Sequence, residues 1–257
     1  MRRKNLVVLV SILLLVLMSV TLTGCREEVT PKTLRVGTSA DYPPFEYVDE
    51  QTQEFVGFDL DLMRLLAPKM GYDKVEIVNM DFDTIIPSLG ADKIDVAAAC
   101  ITITPARLEE ADAVEYITTG QSLIVKKDST FEPKSISDLS GKKVGVQKGT
   151  TGEETIDKGI EAGEASNVDV RRYTSVILGM MDLDAGAIDA MVIDTPVANL
   201  YSTKYNYKTT AELVAETAGL FVKKGNTTLL NALTNALTEV KGTTEWNNLM
   251  EKYFGGS

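Results

Sequence analysis

The chain has 257 residues, 44% of them hydrophobic and 25% charged, enough to bury one large core or two modest ones. With 26 basic against 37 acidic residues the formal net charge is −11, which argues against a nucleic-acid partner and is compatible with a cationic ligand. Histidine is absent and there are two cysteines, which excludes Ser-His-Asp or Cys-His catalysis and leaves too few ligands for a zinc centre; carboxylates alone remain for acid–base chemistry.

The first residues read as a targeting segment. Arg2, Arg3 and Lys4 are followed by an apolar run from Leu6 to Val20 and then by Leu22-Thr23-Gly24-Cys25. A basic start, an apolar stretch and small residues before a cleavage point make a secretory signal over 1–24. The Leu-Thr-Gly-Cys ending resembles a lipobox, which makes Cys25 the lipidated N-terminus of an extracytoplasmic, membrane-anchored protein. An uncleaved membrane helix is the alternative, because the run nearly reaches the ~20 residues that span a bilayer. Residues 25–32 then form a polar tether. With Cys25 lipidated, Cys100 is a free thiol in an apolar run, a buried structural residue.

Beyond the tether, strands and helices alternate. Leu34 and Val36 mark a strand, Asp59 to Met70 carries helical spacing, and Val75 with Ile77 marks a second strand. A short helix over 83–89 leads to a buried strand from Ile94 to Ile101, and Thr104-Pro105 opens a further helix with proline at its first position. The pattern restarts with a strand at Val144 and Val146, a helix from Thr150 to Gly163, and a strand at Val168 and Val170. A helix from Ile177 to Gly186, a buried strand from Ala190 to Ile193 and a helix at Pro196 follow. Helices over 227–240 and 245–253 close the chain. Two β-α series predict two α/β lobes. An internal echo, Leu123-Ile-Val-Lys-Lys against Leu220-Phe-Val-Lys-Lys, brackets the second series and marks where crossovers between lobes belong; the other reading is that paired lysines simply end exposed strands.

Open α/β sheets bind ligands beyond the carboxyl ends of their strands. Residues that follow predicted strands are therefore the candidates. With Thr104 as the N-cap, Arg107 sits in the first turn, where guanidinium and helix N–H groups together suit an anion; pairing with nearby acids on the surface is the other reading. Thr150 with Glu153, or Thr151 with Glu154, fits a capping box that could also face an anion. Asp194 ends a buried strand, either as a helix cap or as a carboxylate for an ammonium group, and Thr195 is positioned to take over the capping. Asp59 and Asp61 lack the turn glycine and distant glutamate of a calcium loop, so Asp59 reads as a helix cap. In the proline-rich turn 36–50, Tyr42, Phe45 and Tyr47 either plug a core or wall a pocket. An arginine, a carboxylate, two helix starts and aromatics spread over two lobes suit an α-amino acid zwitterion.

The segments GTSADYPPFEY (37–47), GFDLDLMRLLAPKMG (57–71), MDFDTIIPSL (80–89), KIDVAAACITITPAR (93–107), DLSGKKVGVQKGTTGE (138–153), GAIDAMVIDTPVA (186–198) and WNNLMEKYFG (246–255) occur in this order. Together they resemble the polar amino-acid-binding proteins of ABC importers, the extracytoplasmic solute-binding proteins of family 3. The resemblance implies a periplasmic-binding-protein-like fold: lobe 1 over 33–118 and 220–257, lobe 2 over 119–219, two crossover segments, and a ligand cleft that closes by hinge motion. It implies that Arg107 clamps the ligand carboxylate with help from Thr102 and Thr151. Asp194 takes the ammonium with the Thr102 hydroxyl and the Cys100 carbonyl, Tyr42 and Phe82 sandwich the side chain, and Gln147 meets its tip. Ser39 stands where members that take cationic or amide side chains often carry an acid, Ile193 where some carry a polar residue, and Ala218 where tyrosine is usual. The implied protein is a monomer without cofactor or metal that passes a glutamine-like or arginine-like amino acid to an ABC permease. A dehydratase-like enzyme on the same scaffold and a ligand-sensing module are the alternatives.

Overall fold

The computed structural model describes residues 30–255, so the targeting segment and Cys25 lie outside the described residues. The described residues from Lys32 onward belong to one compact unit. Strand β1 (Thr33–Thr38) buries Leu34 and Val36 completely and pairs in parallel with β5 (Lys74–Asn79) and β6 (Val96–Thr102). Between β1 and β5 the chain makes a small meander of β2 (Asp41–Tyr42), β3 (Glu46–Val48) and β4 (Phe55–Val56), then helix α1 (Phe58–Leu66). Pro68 sits in a tighter 3-10 turn over Ala67–Met70, which ends the helix earlier than its apolar spacing suggested. Helix α2 (Ile85–Gly90) and helix α3 (Pro105–Glu110) complete the first series.

The second series comprises β8 (Lys143–Gln147), α4 (Thr151–Glu161), β9 (Asp169–Tyr173), α5 (Val176–Asp184), β10 (Ala190–Asp194) and α6 (Thr195–Lys204). Helices α7 (Thr227–Val240) and α8 (Thr244–Phe254) return to the first series. Leu229, Leu233 and Leu237 of α7 are buried, and Trp246, Tyr253 and Phe254 of α8 surround the fully buried Phe58 ring of α1. The aromatic burial is large and edge-to-face pairs add about 1 kcal/mol each.

Two long strands, β7 (Ala111–Lys126) and β11 (Tyr207–Lys223), pair antiparallel along their whole length and belong to both series. The resulting sheet runs β5-β1-β6-β11-β7-β10-β8-β9. The fold is thus two α/β lobes joined by two crossover strands, as the alternation and the resemblance predicted. The echoed Lys-Lys pairs end these two strands, at Lys126 and Lys223. Because the strands are antiparallel, one pair lies in each lobe.

Two local expectations fail. Asp59 does not cap its helix: the N-cap is Gly57, with no side-chain cap bond, and the fully buried Asp59 carboxylate instead accepts the Cys100 N–H at 2.8 Å and the Tyr116 hydroxyl at 2.7 Å. A carboxylate in the first turn pointed inward is worth more as an acceptor for a strand N–H than as a solvated cap. Nor does Thr195 cap α6; its hydroxyl meets Ser122 Oγ at 2.8 Å.

Candidate ligand site between the lobes

The chemistry-bearing side chains meet where β6, β10 and the loop before α4 end. Tyr42, Phe82, Cys100, Thr102, Arg107, Gln147, Thr151 and Asp194 line one cavity, so eight of the nine residues singled out in the sequence converge. Ser39 is buried but does not line it; its hydroxyl bonds Asp41 at 3.3 Å.

Arg107 is placed by Thr104. Thr104 caps α3, accepting the Arg107 N–H at 3.2 Å, which sends the half-buried guanidinium back over the end of β6. There it donates to the Thr102 carbonyl at 2.7 Å and, across the cleft, to the Gly149 carbonyl at 2.9 Å, with the Phe82 ring 5.6 Å beneath it. A guanidinium has five N–H donors, so this leaves capacity for an anion. Burial lowers its pKa from the ordinary arginine value, and the negative charges of Glu216 and Asp194 oppose that shift.

Asp194 occupies the N-cap position of α6 without capping it, and its carboxylate is turned into the cleft. Burial pushes its pKa up to about 6, while hydrogen bonds from Tyr42 and Thr119 pull the other way. Tyr42, from the opposite lobe, donates to Oδ2 at 2.5 Å and accepts the Asp194 N–H at 2.7 Å. Thr119 donates to Oδ1 at 2.8 Å and Gln121 at 3.3 Å. Tyr42 therefore contributes its hydroxyl to the acid as well as a ring to the wall.

On the second lobe Thr150 is the N-cap of α4, accepting the Glu153 N–H at 3.2 Å, and Glu153 accepts the Gly149 N–H at 2.6 Å. Of the two capping boxes open in the sequence, only the Thr150 half of the first is made, because Glu153 reaches back to the Gly149 N–H and not to that of Thr150; the Thr151 hydroxyl is left for the cleft. Gln147 is buried, its amide 3.4 Å from the Thr174 carbonyl. Cys100 is buried with φ +47°, at an irregular stretch where β11 passes from Gly219 to Phe221 while β6 passes from Ile101 to Ala97. That bulge re-aims the strand end beside the cleft. Sequence reasoning missed Thr119, Gln121 and Glu216, which sit on the crossover strands; a buried glutamine in the apolar stretch 120–126 was the one available signal.

The lobes touch across this site. Besides the Tyr42–Asp194 and Arg107–Gly149 bonds, Asp41 accepts the Val176 N–H at 2.8 Å and Lys148 pairs with Asp83 at 2.6 Å. The cavity they enclose is about 10 Å³, room for about one water.

A family model, bacterial extracellular solute-binding proteins, family 3, matches residues 34–256. The chain belongs to that family. This solute-binding protein is 32% identical over 262 residues to the arginine-binding extracellular protein ArtP of Bacillus subtilis, covering 95% of this chain and 98% of that one. It superposes on an ancestral arginine-binding protein bound to arginine with TM-score 0.80 and 40% identity, covering 87% of this chain and 98% of that one. The same identity and TM-score relate it to an ancestral arginine-binding protein bound to glutamine, over 88% and 99% of the chains. Such relatives are named for what they bind, and the solute-binding protein is a binder, not an enzyme. No helix among the described residues is long and apolar enough to cross a membrane.

Proposed function

We propose that the protein captures a polar L-amino acid outside the cytoplasm, arginine being the first candidate and glutamine the second. The observation that carries this is the convergence of Arg107, from the first lobe, and Asp194, from the second, on one cavity. An α-carboxylate opposite Arg107 and the N–H groups at Thr102 and Thr151, with an α-ammonium on Asp194, the Thr102 hydroxyl and the Cys100 carbonyl, uses both charged side chains that line the cavity. Asp194 and Glu216 together outnumber Arg107, which favours a ligand with a net positive charge. Arginine- and glutamine-bound relatives support the same class. The Tyr42 and Phe82 rings supply the walls, and Gln147 is placed for the side-chain tip.

A 10 Å³ cavity admits no amino acid, so the lobes must part and reclose around one. We place the hinge where the crossover strands pass between lobe 1, residues 33–118 and 220–257, and lobe 2, residues 119–219. The ligand is then handed to the permease of an ABC-type importer by a monomer held at the membrane through lipid on Cys25. A thermal-shift screen with the common amino acids tests the ligand class. Arginine at about 100 times its dissociation constant raises stability by about 2.7 kcal/mol and the melting temperature with it. No shift with any amino acid would refute the assignment.

A further inference from the structure

Glu216 lies on β11, half-buried behind the cavity, and no role follows for it from the motifs. Its Oε2 accepts three hydrogen bonds: from Thr102 Oγ1 at 2.8 Å, from Thr151 Oγ1 at 2.8 Å and from Gln121 Nε2 at 3.0 Å. The donors have three origins. Thr102 ends β6 in the first lobe, Thr151 begins α4 in the second, and Gln121 belongs to the crossover strand β7. The two hydroxyls lie 3.3 Å apart, and Gln121 also reaches Thr151 Oγ1 at 3.2 Å and Asp194 Oδ1 at 3.3 Å.

We propose that Glu216 is a positioning residue that latches the two lobes in the closed state and orients the Thr102 and Thr151 hydroxyls toward the bound amino acid. The proposal rests on the amino-acid-binding reading above. The latch follows from geometry. Thr102 and Thr151 ride on different lobes, so a carboxylate between them holds both hydroxyls only when the lobes are together; a hinge opening removes at least one. Hydrogen bonds to an ionised acceptor are about twice as strong as neutral ones, so the loss is felt. The orientation follows from proton counting. A hydroxyl has one proton, and each threonine gives its proton to Glu216. What Thr102 then turns to the cleft is a lone pair, an acceptor for the ligand ammonium beside Asp194. The carboxylate end is left to Arg107 and backbone N–H groups.

The test uses Glu216→Ala and Glu216→Gln in the full chain with L-arginine as probe. Stopped-flow dissociation is expected to be about tenfold faster or more in Glu216→Ala, with association changed by no more than about threefold. Glu216→Gln keeps an acceptor oxygen without the charge and is expected between the alanine variant and wild type. Hydrogen–deuterium exchange without ligand is expected to be faster in Glu216→Ala over residues 100–107 and 149–153, where the lobes meet. A role in stability alone would lower the melting temperature but leave both readouts unchanged well below it. Dissociation and cleft exchange equal to wild type in Glu216→Ala would overturn the latch. Wild-type protein that ignores L-arginine would overturn the ligand reading instead, and the exchange comparison would still decide the latch.

Discussion

At the scale of residues, the absence of histidine makes the pH response simple. Among the carboxyls that burial moves toward neutrality are Asp194, pushed up to about 6, and Asp59, pushed up to about 7, both raised from 3.8 chiefly by desolvation. Glu46 moves the same way, being fully enclosed with both carboxyl oxygens unpartnered and near Asp59 and Asp41. A carboxyl whose folded pKa lies above its unfolded value holds more protons in the native state. Its contribution to stability is complete below about 4 and is lost as pH rises through the folded value. The melting temperature of the ligand-free protein is therefore expected to fall between pH 5 and pH 8, and a rise over that interval would contradict the assignment. Ligand affinity runs oppositely at the low end. An ammonium needs Asp194 ionised, so binding is expected to weaken below about pH 6, approaching tenfold per pH unit. Arg107 and Asp194 were legible in the sequence because each follows a predicted strand. Glu216, Gln121 and Thr119 were not, because their partners come from distant segments and no spacing brings 102, 121, 151 and 216 together.

At the scale of elements, the β-α alternation was readable because each buried strand is a short apolar run and some helices carry their own start signal, as at Thr104-Pro105 and Thr150. The long crossover strands were not. Over 207–217, β11 is mostly half-exposed and polar, and its ladder with β7 carries several register shifts, so its alternation is broken. Gly57 shows how a single position holds an element. It has φ +132°, and a Cβ there would meet the Phe45 carbonyl oxygen at 2.1 Å, so the meander and the start of α1 require glycine. Gly57→Ala is expected to cost about 2 kcal/mol or more, lowering the melting temperature by several degrees. Gly71, with φ +76° and nothing within 4 Å of its would-be Cβ, is the control: Gly71→Ala carries only the backbone strain of about 1 kcal/mol. Equal losses from both would show that the close approach at Phe45 is not what demands glycine.

At the scale of the molecule, the two lobes share one sheet through β7 and β11 and touch through side chains that are themselves candidate ligand contacts. Tyr42 on Asp194 and Arg107 on Gly149 close the cleft with the groups that a ligand would engage. On the proposed reading, ligand capture is an exchange of partners: interlobe bonds give way as the lobes part, and ligand bonds replace them on reclosure. Arg107 and Asp194 are proposed to clamp the two ends of an amino acid between the lobes. Calorimetric titration of L-arginine into wild type, Arg107→Ala and Asp194→Ala tests the clamp. Saturable single-site binding is expected for wild type, with a loss of at least about a hundredfold in each variant while circular dichroism shows the fold retained. Undiminished binding in either folded variant would contradict the clamp.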